Sequence, residues 1–311
     1  MSLIVSSSPH LKSKLTTPYL MRQVIVGLVP VVIASIVFFN YRAILLISIC
    51  TLTCVFTEEI IFKIRKKRQS QRDFSAFLTG LLLALILPPL TSWYAAVLGS
   101  VFAIAIVKHI FGGLGSNIFN PALMARAFLM AAYPKMLTSF CKPLSYDVIS
   151  QATPLALRKF NFIITPIYKL FIGNVSGSLG ETSALAILIG GIYILVRKIA
   201  DWRIPLSLLL TVTGISSIFY FVNPNNGSVF FHLFSGGLLL GAFFMATDPV
   251  TTPVTKIGRY IFGIGCGILI MVIRYFSGLP EGVMYAILFM NMCTPLINRY
   301  TSPLPFGVNR R

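Results

Sequence analysis

Apolar residues run through this chain in long blocks separated by short polar links. The blocks cover 24–39, 43–62, 74–89, 93–110, 121–138, 182–197, 204–221, 229–246, 260–277 and 281–298. They are continuous rather than alternating, which predicts helices and not strands. A helix crossing hydrocarbon needs about 20 apolar residues, range ~17–25. A membrane barrel would instead show alternating segments of ~10 residues. The pattern therefore predicts an all-α polytopic membrane protein with about ten transmembrane helices. The shortest blocks suit spans that are buried in protein or broken at a cavity. Block 74–89, ending Leu87-Pro88-Pro89, fits that description.

The blocks also echo one another. Gly80-Leu81-Leu82-Leu83-Ala84 leads into Leu87-Pro88-Pro89-Leu90-Thr91, and Gly237-Leu238-Leu239-Leu240-Gly241 leads into Thr247-Asp248-Pro249-Val250-Thr251. Each lies in the third block of its half. Five spans per half is odd, so the halves point in opposite directions, the signature of an inverted repeat. We expect one membrane domain over 1–311, with a first repeat near 20–140, a long link at 139–181 and a second repeat near 182–300.

Composition sharpens this picture. Mean hydropathy is +0.84, 56% of the 311 residues are hydrophobic and 11% are charged. Soluble domains carry about 25% charged residues. The first 23 residues are polar and basic, and the run after them lacks a small-residue cleavage site. It is expected to be a retained first helix. The net charge of +18 does not point to nucleic acid, because the basic residues sit between apolar runs, where they set topology. They cluster at Lys12, Lys14 and Arg22, at Lys63–Arg72, at Lys108, at Arg197–Arg203, at Lys256 and Arg259, and at Arg299–Arg311. All of these are cytoplasmic if the N-terminus is. The link 139–181 then falls on the other side, although it carries Lys142, Arg158, Lys159 and Lys169.

Several side chains have bland expectations. Cys50 and Cys54 read as small buried hydrophobes. His109 reads as interfacial. Glu58 and Glu59 are expected to pair with the basic loop beside them. Glu181 and Glu281 each open a helix, where a carboxylate suits the positive end. Arg126 is expected to snorkel to nearby headgroups. Gly112-Gly113-Leu114-Gly115 follows no strand, so close helix packing on small residues explains it better than a phosphate cradle.

The stretch with chemical content is Asp147-Val148-Ile149-Ser150-Gln151-Ala152-Thr153-Pro154-Leu155. Asp147 argues for a wet loop, since a carboxylate at the bilayer centre costs ~2.5–3.5 kcal/mol. Pro154 pushes Thr153 toward extended backbone, displaying its hydroxyl, and small Ala152 leaves room for a modifying enzyme. Read from physics alone, an ordinary Ser/Thr/Asp turn is the better explanation of the stretch. Asp147-x-x-Ser150-x-Ala152-Thr153, however, resembles the flavinylation motif of the RnfD family, membrane components of the Rnf ion-translocating electron-transport complexes. A membrane component of the sodium-translocating NADH:quinone reductase is its relative. In that family FMN is joined through its phosphate to the final threonine by a separate flavin transferase. Thr153 matches, while Gln151 stands where glycine is usual. The likeness extends to Ser8-Pro9-His10, to Gly112–Ala122 with its Asn120-Pro121, to Ala246–Pro253 with its Asp248, and to Pro280-Glu281-Gly282-Val283-x-Tyr285-Ala286.

This resemblance implies a ten-helix fold in the bacterial inner membrane, covalent FMN on Thr153, a riboflavin and five partner subunits. It also implies electron flow between NADH and a ferredoxin-like carrier, coupled to Na⁺ or H⁺ movement. Asn120 and Asp248, each beside a helix-breaking proline, are candidates to line an ion path or a second flavin pocket, and ordinary loop capping, with Asp248 as a solvated cap, explains them equally well. With termini inside, Thr153 is expected on the extracytoplasmic face. The competing readings are a redox-free channel or secondary transporter, which the inverted repeat would also suit, and a passive assembly scaffold.

Overall fold

The computed structural model describes residues 16–66, 73–144 and 151–303. Asp147 and Ser150 of the motif therefore lie outside the described residues. Among the described residues the regular elements are all helices. These are α1 (Thr17–Phe39), α2 (Tyr41–Ile64), α3 (Ser75–Ile86), α4 (Trp93–Val101, widening to π-helical winding at Phe102–Ile110), α5 (Pro121–Ala132), α6 (Pro134–Leu137), α7 (Pro154–Asn161), α8 (Ile167–Ile172), α9 (Ala184–Val196), α10 (Arg203–Val222), α11 (Val229–Phe234), α12 (Leu238–Leu240, continuing as a π-turn through Met245), α13 (Lys256–Phe276) and α14 (Val283–Thr301). A 3-10 turn at Pro224–Asn226 links α10 to α11.

Each of the ten expected blocks contains helix. Five helices are long and apolar enough to cross a membrane: α1, α2, α4 with its π extension, α10 and α13. The bent pair Pro224–Phe234 and Leu238–Met245 makes a sixth if it counts as one span. Helices α3, α5 and α9 are apolar but shorter. The chain is thus a multi-pass helical membrane protein whose centre is built from short and broken helices.

Two blocks expected as single spans are interrupted. Block 121–138 stops at Ala132, because Pro134 has no N–H to continue the ladder; Tyr133 takes φ −133° and a single turn, α6, follows. Block 229–246 breaks at Ser235-Gly236-Gly237, where Gly236 adopts φ +67°. The Gly112–Gly115 run does not serve helix packing. Its three glycines take φ +122°, +104° and +97° and form the turn after α4, with open space where a Gly115 Cβ would point. That is left-handed backbone, which suits glycine.

Packing explains why α3 can be short. Eleven of its twelve residues are buried. It lies against α2, which also packs on α4, while α1 packs on α9 and α13 on both α10 and α14. Beyond α3, Pro88 and Pro89 supply no backbone donors, so carbonyls at the helix end are left over. The tail of the long link inserts there: Leu179 N–H donates to Leu87 O at 3.2 Å and Gly180 N–H to Leu85 O at 2.7 Å. Part of the link expected to be wet is therefore core, with Ser178, Leu179 and Glu181 all buried.

One contact sets how closely α1 and α9 approach. A Cβ at Gly190 would lie 1.9 Å from the Gly27 carbonyl oxygen, which is backbone and cannot yield. Gly190→Ala is expected to push the helices apart at a cost of about 1–3 kcal/mol. The thermal midpoint in detergent should fall, and an unchanged midpoint would show that the two helices do not meet there.

Candidate functional site

Thr153 heads α7. Its backbone is extended (φ −68°, ψ 156°), as Pro154 requires, and its Oγ1 accepts from Ala156 N–H at 3.3 Å. The hydroxyl is thus a helix N-cap. It does not stand out in bulk solvent: Thr153 is half-buried and lines a cleft. Its neighbours are tied down. Gln151 N–H donates to Phe140 O at 2.8 Å, and Ser176 Oγ donates to Ala152 O at 2.7 Å.

The rest of α7 explains why basic residues occur in this link. Lys159 Nζ donates to Arg274 O at 3.0 Å, to Leu279 O at 2.8 Å and to Ser277 O, at the C-terminal end of α13. A cation there meets the negative end of a helix and its unpaired carbonyls. Arg158 sits over the Tyr275 ring at 4.7 Å and donates to Asn226 Oδ1 at 3.2 Å. Leu155 packs in a small core with Leu170 and Phe231. Helix α7 is therefore pinned by charge at one end, with Thr153 facing the cleft at the other.

That cleft encloses about 840 Å³ of empty space, part of it open to solvent. Apolar side chains such as Met130, Phe140 and Phe234 share its walls with Arg126, Glu181 and Glu281. Arg126 does not snorkel. It is 7% exposed, its Nη1 is 2.8 Å from Glu181 Oε1, and its Nη2 is 3.8 Å from Glu281 Oε2. Two carboxylates from other links compensate the charge, so the side chain has no need to reach water. The carboxylates depart from expectation as well. Ser183, not Glu181, caps α9. Glu281 accepts from Gly237 N–H and so serves the start of α12 rather than that of α14. Arg274, on the far side of the helix break, donates to His232 O at 2.7 Å and Ser235 O at 3.0 Å. The break in the 229–245 helix is thus held by a guanidinium on its carbonyl side and a carboxylate on its N–H side.

The other two candidates meet elsewhere. Asn120 and Asp248 line a second space of about 780 Å³, part of it open to solvent. The start of α5 and the end of α9 line this cavity, whereas the later part of α5 and the approach to α9 line the Thr153 cleft. The two spaces therefore open at opposite ends of the bundle. Asn120 Oδ1 caps α5 through Ala122 N–H at 3.1 Å, and its Nδ2 donates to Met245 O at 3.3 Å. Asp248 Oδ2 accepts from Thr251 Oγ1 at 3.2 Å, and burial pushes its carboxyl above the usual range. Asn117, in the same wall, has a buried Oδ1 with no partner.

Sequence reasoning also misjudged the cluster beside this cavity. His109 is buried, and Lys108 Nζ reaches Glu58 Oε1 at 2.6 Å, with His109 Nε2 3.4 Å away from the same oxygen. Glu58 therefore pairs across helices with the end of α4, while most of the basic loop expected to pair with it, 67–72, lies outside the described residues. An unbroken apolar run ending in Lys108 gave no sign that its end is inside the bundle. Cys50 and Cys54 are buried as expected.

Comparison with known proteins bears on all of this. A family model described as "NQR2, RnfD, RnfE family" matches residues 4–307. The chain is 46% identical over 314 residues to the D component of the Na⁺-translocating ferredoxin:NAD⁺ oxidoreductase complex of Acetobacterium woodii, covering 100% of this chain and 97% of the relative. It is 40% identical to the D component of the proton-translocating ferredoxin:NAD⁺ oxidoreductase complex of Clostridium ljungdahlii, covering 98% and 96%. The D component of the ion-translocating oxidoreductase complex of Yersinia enterocolitica shares 37%, covering 98% and 99%. With a family model spanning nearly its whole length and relatives that are all D components aligned end to end, this chain belongs to the NQR2, RnfD, RnfE family, on its RnfD side.

Proposed function

We propose that this chain is the membrane electron-transfer subunit of an ion-translocating oxidoreductase complex, carrying FMN as a phosphoester on Thr153. The observation that carries the reading is the placement of Thr153. The residue that matches the family's attachment motif heads a helix and opens into a roomy, largely apolar cleft. The fit is chemical as well as spatial. A helix N-terminus presents free N–H groups and a positive dipole end to a phosphate. The apolar walls suit a flat aromatic ring, and Arg126 adds a buried cation to the same space.

When bound, the flavin supplies the electron chemistry, and the protein supplies position, electrostatics and water exclusion. Pro154 holds Thr153 extended at the head of α7. Lys159 and Arg158 fix that helix to the end of α13. The tethers on Gln151 and Ala152 hold the approach strand. As in the relatives' names, the complex would couple electron flow between ferredoxin-like carriers and NAD(H) to Na⁺ or H⁺ movement. A separate flavin transferase would make the ester, with Gln151 at the position where glycine is usual.

The second cavity suits a non-covalent flavin such as riboflavin, or an ion path. Asn117 Oδ1 lacks a partner there, and buried polar atoms ordinarily have one. The inverted repeat finds support in α3 and α12, which are nearly or wholly buried and end in proline-bearing links at opposite ends of the bundle. The broken helix with buried charges also favours a second reading, a redox-free transporter.

One experiment separates these readings. The complex is denatured, released flavin is measured in the supernatant, and the peptide containing Thr153 is weighed. An FMN adduct on the peptide supports the proposal, released riboflavin supports the second pocket, and an unmodified threonine from the native source sinks the covalent reading. The charge pattern supports termini in the cytoplasm and Thr153 outside. Lys142 is exposed and four of the five cysteines are buried. Lys142→Cys in intact cells should therefore react with a membrane-impermeant thiol reagent; protection until the membrane is opened would reverse the topology.

A further inference from the structure

The flavin cleft contains more charge than an attachment site needs. Arg126 on α5, Glu181 in the link before α9, and Glu281 before α14 all face it. Arg274 on α13 lies within electrostatic reach of both carboxylates, and Tyr285 within reach of Arg126. Two guanidiniums thus balance two carboxylates beside Thr153. The carboxylates are also wedged against the helix break. A Cβ at Gly237 would stand 2.7 Å from Glu181 Oε1, and one at Gly236 would stand 2.6 Å from Glu281 Oε1 and 2.8 Å from Leu155 Cδ1. Leu155 is two residues from the flavin-bearing threonine. Thr153, the carboxylates and the broken helix therefore line one cleft, and in a water-poor setting charges held there act strongly on each other.

We propose that Glu181 and Glu281 are positioning charges that set the reduction potential of the flavin on Thr153, a claim that rests on the function proposed above. Reduction adds an electron, supplied by the complex's own donor, to a cleft lined by both carboxylates. Each carboxylate opposes that added charge and holds the potential down. Neutralising either one leaves a guanidinium in excess, and the reduced flavin is then favoured. Glu181 has a further consequence. Burial and the neighbouring Glu281 hold its carboxyl above the usual range. As pH falls through that raised value, the Glu181 carboxylate takes a proton from water, forming an O–H bond and losing its charge. The flavin potential should rise with it, over and above the flavin's own pH dependence.

The test is a spectroelectrochemical titration of the purified complex, following the component that Thr153→Ala removes. Glu281→Gln should shift that component's one-electron equilibrium toward the reduced form by about tenfold, ~59 mV. Glu181→Gln should shift it in the same direction and abolish the extra pH step. Glu281→Asp keeps the charge and should leave the potential in place. A component that stays fixed in both Gln variants overturns the inference while leaving the covalent flavin standing. If Thr153→Ala removes no component, the reading beneath it falls as well. If both Gln variants fail to assemble while Glu281→Asp assembles, the carboxylates are purely structural and the proposal is wrong.

Discussion

Thr153→Ala is expected to yield a chain without covalent flavin: no fluorescent band in a denaturing gel and no mass adduct on the peptide. The loss should be complete, because an ester needs an oxygen and no other hydroxyl heads α7. Thr153→Ser is the informative companion. It keeps both the hydroxyl and the N-cap acceptor for Ala156 N–H, so it should keep some flavin if the transferase accepts serine. The alanine variant also loses the cap, worth about 1 kcal/mol. That cost is small beside the other anchors of α7, the Lys159 contacts with the end of α13 and the Leu155 core. The variant should therefore accumulate in the membrane at close to normal levels, so that loss of flavin is not loss of protein. A fluorescent band surviving in Thr153→Ala would place the attachment elsewhere and remove the basis of the proposal.

Arg126→Met should be the most damaging single change in the described core. The guanidinium is 7% exposed and faces Glu181 at 2.8 Å, with Glu281 at 3.8 Å. Removing one partner of a buried ion pair costs about 3–5 kcal/mol, because the remaining charge is left without compensation. Here two carboxylates lose their shared partner. The expected result is a large fall in the thermal midpoint, or failure to accumulate. The double variant Arg126→Met, Glu181→Gln removes the nearer of the two orphaned charges and should recover part of the loss. If the double variant is no better than the single, the cost lies in lost packing and the electrostatic account of this cluster fails.

Both predictions turn on residues that the sequence marks out unequally. Thr153 was legible because its motif is local: a few neighbouring residues carry the resemblance, and Pro154 dictates the backbone. Arg126 was legible only as an oddity, a charge inside an apolar block. Its partners lie 55 and 155 positions away, and no local pattern connects residues at that distance. The same distance hid the pairing of Glu58 with Lys108 and the service of Glu281 to Gly237 rather than to its own helix. Lys159 shows the converse error. Its charge read as a weak topology signal, whereas it is spent on the carbonyls that end α13.

By itself the sequence determined that this chain is helical and membrane-embedded, because continuous apolar blocks admit no other way to satisfy the backbone in lipid. It also determined where block 74–89 ends, through Pro88 and Pro89, and which hydroxyl is the candidate for modification, whereas the breaks at Pro134 and Gly236 emerged only in the structure. Only the tertiary structure decided that Thr153 faces a cleft, that this cleft is charged, and that Asn120 and Asp248 belong to a different space at the other end of the bundle. The physical reason is the same throughout. Periodicity and local sterics are written in neighbouring residues, whereas a buried charge chooses its partner from whatever the packing brings within a few ångströms.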